Sequence, residues 1–402
     1  MSPRTTRLRG LAALTSLAVV LTGCSSGSDD SDAESRAAAS RSEKATAHGR
    51  VAVATPGGIS VLDPRTLEVV DEFTTEEFTR LNAAGDGRHV FVTTTKGFQL
   101  LDTAEPRLTD AVVPATAAGH VVRHGDKTVL FDDGTGTTSI FETADLAASG
   151  DAPAATSTHT AEAAHHGVSI VLEDGTLLTT VGDETSRSGA VALTKEGGDW
   201  TENASSKECP GIHGEGTAAD EAVVFGCEDG ALLYADGAFE KLSAPDEFGR
   251  MGNAYVSETS PIVVGDYKTD PDAEGYLLNS VALIDTKKRS LDVVDLPDEV
   301  QYTFRDVARG PDDLAYILAT DGAIHVLDPA TGDLVDTFPV VEPWEGPVEW
   351  QDAHPAISVD GDTAYVTEPA ANAVHAVDLT TGRTTASVEL DSTPNEIAVA
   401  LG

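Results

Sequence analysis

Three observations predict an all-β chain closed into a single β-propeller. Strand-like runs alternate with turns and show no convincing helical periodicity from Gly49 onward. One turn motif recurs along the chain. The two ends of the repeat region each lack what the other supplies. Eight blades fit best, and seven is the alternative because residues 249–300 are long and irregular.

Composition agrees with this. Gly, Thr, Val, Ala and Asp dominate, and aromatic residues make up only 5%, which suits many short strands joined by turns. The formal net charge of −41 argues against nucleic-acid binding, which needs clustered Lys and Arg to neutralise phosphates. Such a surface repels anions and attracts cations, and it also keeps the chain soluble.

The N-terminus reads as a targeting segment. Arg4, Arg7 and Arg9 precede an apolar run from Leu11 to Leu21. That run is too short for a typical spanning helix of ~20 residues and suits a signal peptide. It ends in Leu21-Thr22-Gly23-Cys24, which resembles a bacterial lipobox, so residues 1–23 are expected to be removed and Cys24 lipidated. Residues 24–48 then form a flexible linker rich in Ser, Ala, Asp and Glu. The expected location is the outer face of the cell membrane, held by the lipid alone. Cys209 and Cys227 remain, and in an exported protein they most simply pair as a disulfide; a zinc-thiolate role is the alternative.

Residues 49–402 carry the repeats. Val61-Leu62-Asp63-Pro64-Arg65-Thr66, Val326-Leu327-Asp328-Pro329-Ala330-Thr331 and Ala376-Val377-Asp378-Leu379-Thr380-Thr381 share one pattern, with Ile284-Asp285-Thr286 a weaker copy. A strand ends in Asp, a short turn follows, and a second strand leaves. Asp328 and Asp378 are 50 residues apart, a plausible span for one blade of about 40–50 residues. Asp/Gly turns such as Gly85-Asp86-Gly87 and Asp360-Gly361-Asp362 read as hairpins from the innermost strand to the next. Inner strands are then expected to begin near Thr79, His120, His166, His213, Arg250, Phe304 and His354. The last strand, from Asn395 to Ala400, has no outer strands, and the first segment, from Arg50 to Glu72, has no inner one. Pairing them closes the ring and removes an unpaired edge.

On this register the first inner-strand position is His in blades 3, 4, 5 and 8, and near Arg80, Arg250, Arg305 and Asn395 in the others. These positions surround one mouth of the channel. His120, His166 and His213 form an arc from three consecutive blades, and three neutral imidazoles with one more ligand suit tetrahedral Zn²⁺. Candidates for the fourth ligand are Glu215, on the same strand face as His213, Asp132 or Asp133, and His165. Glu215 is alternatively an acceptor that orients an imidazole. His354 faces the arc from across the channel as ligand or gate. No nucleophile elbow, P-loop, metalloprotease helix motif or EF-hand loop is present, so no enzyme activity is expected.

The segments Gly119-His120-Val121-Val122, His165-His166-Gly167-Val168, Cys209-Pro210-Gly211-Ile212-His213-Gly214-Glu215, Gly226-Cys227-Glu228-Asp229-Gly230 and His354-Pro355 resemble the AztD family of periplasmic zinc metallochaperones. The resemblance covers roughly residues 49–402. It implies a propeller that binds Zn²⁺ and passes it to the solute-binding protein of a zinc ABC importer. His120, His166 and His213 carry over first. The chain departs from the family in its tether, where His48 is the single histidine, which puts a second, flexible capture site in doubt. A metal-dependent, lactonase-like hydrolase and a metal-free interaction scaffold are the competing readings.

Overall fold

The computed structural model describes residues 48–148, 153–273 and 275–401. The expected signal peptide, Cys24 and the linker up to Ala47 lie outside the described residues. The ring has eight sheets built on four antiparallel strands, in sequence order from the channel outwards in seven of them, which settles the blade count. Blade 5 gains a short fifth strand, Gly249–Arg250, which runs parallel to Asp229–Ala235. Helical turns among the described residues are short 3-10 segments.

Closure is as the two incomplete ends require. Ile397–Val399 pairs antiparallel with Val51–Thr55, which continues to Gly58–Leu62 and Val69–Thr74. The first sheet is therefore built from both ends of the repeat region. The recurring Asp residues have a common local role. Asp63 Oδ1 accepts the backbone N–H groups of Arg65 and Thr66, and Asp378 Oδ1 those of Thr380 and Thr381. Asp285 and Asp328 bond the N–H two residues on in the same way. Each carboxylate supplies the acceptor that holds a turn between the third and fourth strands.

Within each blade the middle strands are buried and the outermost is wet. Val223–Cys227 is buried throughout, whereas Val69–Thr74 is exposed at five of six positions. The core lies between blades, where sheet faces meet. Val168, Ile170 and Leu178 of blade 4 pack with Val223, Phe225 and Leu232 of blade 5. Fully burying each such side chain contributes about 1.5–3 kcal/mol. The Cys209–Cys227 disulfide lies within this same cluster. It joins the approach to the inner strand of blade 5 to the end of the next strand out, and it removes both sulfurs from metal binding.

Candidate metal centre

Three imidazoles converge at one channel mouth. His120 is the third residue of Ala118–His124, the inner strand of blade 3. His213 opens His213–Thr217, the inner strand of blade 5. His166 lies three residues ahead of Ser169–Val171 in blade 4, in the lead-in rather than at the expected first strand position. Ring centroids are 5.0 Å apart for His120 and His166, 5.1 Å for His166 and His213, and 5.2 Å for His120 and His213. One ring nitrogen from each lies within 4.8 Å of the others.

Local irregularity delivers two of the rings. Pairing slips between Ala118 and Val121 and again between His213 and Glu215, so both histidines sit at bulges, which re-aim side chains. Glycine makes the second slip workable. Gly214 has φ +60°, and a Cβ there would stand 2.4 Å from the Gly252 carbonyl oxygen. That oxygen is the one that holds His213. Gly119 does the same beside His120, since a Cβ there would meet Asp133 Oδ1 at 2.2 Å.

Every Nδ1 is committed to a neighbouring blade. His120 Nδ1–H donates to Gly167 O at 2.9 Å, and His213 Nδ1–H donates to Gly252 O at 2.5 Å. His166 Nδ1–H donates to Asp133 Oδ2 at 2.5 Å. Hydrogen bonding thus assigns the same tautomer to all three rings and leaves three Nε2 lone pairs facing one region. Burial, with the neighbouring imidazoles, lowers the His120 pKa to about 3. Burial, with Arg187 and Arg250 among the lesser contributors, lowers that of His213 to about 3. Both rings retain some accessible surface, but protein crowds them closely enough to disfavour the cation. They are neutral, as metal ligands must be. His166 is the exposed member, with 48% of its side-chain surface accessible.

The donor set fits a divalent cation. Bonds of about 2.05 Å in a tetrahedron place nitrogens about 3.3 Å apart, and the His166 and His213 Nε2 atoms are 3.0 Å apart.

Other expected ligands do not join the cluster. Asp133 sits behind His166, on its Nδ1, and also accepts the Gly167 N–H at 3.3 Å. It orients the ring, the part expected of Glu215. Asp132 is taken up by its turn, accepting from the N–H groups of Thr116, Ala117 and Gly134. Glu215 does not share a face with His213. The slip at Gly214 pairs His213 with Gly226 and Glu215 with Phe225, which are adjacent and so face opposite ways. Burial raises the Glu215 pKa to about 7.

His165 is buried, with Nδ1 on Ala163 O and Nε2 on Thr180 Oγ1. His354 is buried too, and both its nitrogens are occupied. Nδ1 faces Asp352 O, and Nε2 meets Thr303 Oγ1 and the Arg305 Nε–H. Arg305 also holds Asn395, Glu396 and the Trp350 carbonyl, so this side of the mouth is tied shut by hydrogen bonds. The Asp133 contact and the two backbone acceptors were not readable from sequence. Its one signal was a second carboxylate beside the turn-forming Asp132.

The ring and its cluster define an eight-bladed propeller with three histidines gathered at one channel mouth. In particular the chain is similar to the zinc chaperone AztD of Citrobacter koseri, and the resemblance read from its segments is thereby found. The two are 25% identical over 249 residues, 60% of this chain and 56% of that protein, so the match spans little more than half of the relative's length. Two structures of the Citrobacter koseri protein, one of them apo, superpose with TM-scores of 0.70 and 0.69 at 19% identity, covering 87% of this chain and 96% of theirs. Dihydro-heme d1 dehydrogenase NirN in complex with DHE shares the fold at a TM-score of 0.59 and 13% identity, over 89% of this chain and 76% of that one. No family model matches the chain.

Proposed function

We propose that this protein is an extracytoplasmic zinc chaperone that carries Zn²⁺ on His120, His166 and His213 and delivers it to the solute-binding protein of a zinc ABC importer. One observation carries the reading: three Nδ1 atoms are committed to neighbouring blades, and three Nε2 lone pairs converge. The likeness to a zinc chaperone and the disulfide, which belongs to an oxidising compartment, support it. A lipid on Cys24 would hold the carrier at the membrane, beside the importer.

Zinc is cargo here, so the site must release it. His166 is the exposed ligand and therefore the first a partner's imidazole replaces. His213 and His120 follow, each ring staying oriented by its Nδ1 contact. Among the described residues no fourth ligand joins the cluster, which leaves one coordination position for water or the incoming ligand. The test is transfer from the zinc-loaded protein to the candidate binding protein in the presence of a competing chelator. Transfer faster than chelator capture supports delivery. Absence of a tight zinc equivalent on the metal-stripped protein sinks the reading, and zinc-dependent ester hydrolysis would replace it with the hydrolase.

A further inference from the structure

We propose that the cleft beside His213, between Arg187 and Arg250, is an anion subsite that receives a carboxylate next to the imidazole cluster. The cleft is a cavity of about 480 Å³ lined by His213, Arg187, Arg250 and Lys268, together with the acids Glu228 and Asp266. Arg187 also lines an adjoining cavity of about 450 Å³ that reaches His166, so it stands between the two openings.

Acids outnumber Lys and Arg by 67 to 26, and several of the basic side chains are held in ion pairs. Arg88 is paired with Asp102, Arg289 with Asp236 and Glu240, and Arg305 with Glu396. Arg187, Arg250 and Lys268 make no ion pair among the described residues. The two acids in the cleft act on the guanidinium groups at a distance, Glu228 on Arg187 and Asp266 on Arg250, but neither closes an ion pair with them. Asp266 accepts the backbone N–H groups of Gly252 and Asn253 and the Asn253 side-chain amide. Glu228 lies against Gly211, beyond ion-pair distance of all three cations.

The cations are also short of hydrogen-bond acceptors. Arg250 Nη1 has one long bond to Gly211 O at 3.4 Å, and Lys268 Nζ one to Ala273 O at 3.2 Å. Arg187 Nη1 is buried with no partner. A buried charged donor left open has lost its hydration with nothing in exchange, and such a group calls for a missing acceptor. A carboxylate matches a guanidinium fork in shape and relieves the repulsion between two of them. The two lining acids and the −41 charge disfavour a polyanion the size of a nucleotide.

A metal on the imidazoles would add a fourth positive centre beside the same cavity. Carboxylate and Zn²⁺ then strengthen each other's binding, and linkage makes the effect reciprocal. That coupling rests on the zinc reading; the subsite does not.

The test is calorimetric titration of succinate into the metal-free protein at low ionic strength, with acetyl-Glu-Glu-Glu-amide titrated in parallel. Binding should weaken by about tenfold or more in Arg187→Gln and in Arg250→Gln. It should recover in part in Arg187→Lys and persist in the His120/His166 double alanine variant. Tighter succinate assigns the carboxylate to a small free acid; a tighter peptide assigns it to an acidic segment of a partner. No binding to the wild type, or unchanged binding in a folded Arg187→Gln/Arg250→Gln variant, overturns the subsite. Zinc titration on the same samples reports separately. Intact succinate binding without a tight zinc equivalent removes the chaperone reading and leaves the subsite standing.

Discussion

His166 and His213 meet nitrogen to nitrogen, with their Nε2 atoms 3.0 Å apart and the Nδ1–H of each donated elsewhere. With both Nδ1–H groups donated, the two Nε2 lone pairs point at each other. A positive centre, proton or metal, must stand between or beside them to relieve the contact. Burial lowers the His213 pKa to about 3, and the zinc proposed above would be a cation that relieves the contact. His213→Ala and His166→Ala should each lower zinc affinity by more than about 100-fold, exceeding the loss of an outer partner. Chelator competition measures this, and wild-type affinity in either variant would remove the shared site.

Asp133 holds His166 from behind, so its loss should loosen the ring without removing a ligand. Asp133→Ala is expected to reduce zinc affinity by about 10–100-fold while one zinc is still bound per chain. Asp133→Asn keeps an acceptor at Nδ1 and should lose less. If both variants matched the histidine variants, Asp133 would be a ligand after all.

The ring was legible because the signals repeat. Asp63, Asp328 and Asp378 mark the same turn, and the incomplete ends predicted the closing pair of Val51–Thr55 with Ile397–Val399. Four histidines expected at one repeat position pointed to the cluster for the same reason, and three of them form it. Repeat position does not report whether a ring is already satisfied, and His354 failed on that ground, with both nitrogens occupied by Arg305, Thr303 and Asp352. Glu215 failed because a one-residue slip reverses every following side chain, and only the Gly before it hinted at a bulge. The acceptors on His120 and His213 are backbone carbonyls, which carry no sequence mark.

The Cys209–Cys227 disulfide closes a span of 18 residues that contains the approach to His213. Its removal in a Cys209→Ala/Cys227→Ala variant should lower unfolding free energy by about 2–4 kcal/mol. Zinc stoichiometry should persist at low temperature. The approach is also tied by Cys209 N–H to Ser188 O and by Gly211 N–H to Arg187 O. Thermal melts and zinc titration separate the two effects. Complete loss of zinc from a folded double variant would instead favour a thiolate ligand.

Asp306 makes the stability of the ring depend on pH in a direction opposite to that of most acids. It is fully buried, Oδ2 accepts the Thr303 N–H at 2.6 Å, and Oδ1 has no partner. Burial raises its pKa to about 8 against the Thr303 contacts and the Arg305 charge, which act the other way. The unfolded chain releases this proton near the ordinary carboxylate value of 3.8, and the folded chain keeps it up to about 8. Between those values the native state binds more protons than the unfolded state, so the Asp306 contribution makes stability fall as pH rises. Below the window both states are protonated and the effect is absent. Asp306→Asn should remove this slope, melting close to wild type near pH 4 and higher than wild type near pH 8. Denaturation midpoints across that range measure it, and parallel curves for the two proteins would show that Asp306 is ionised in the fold.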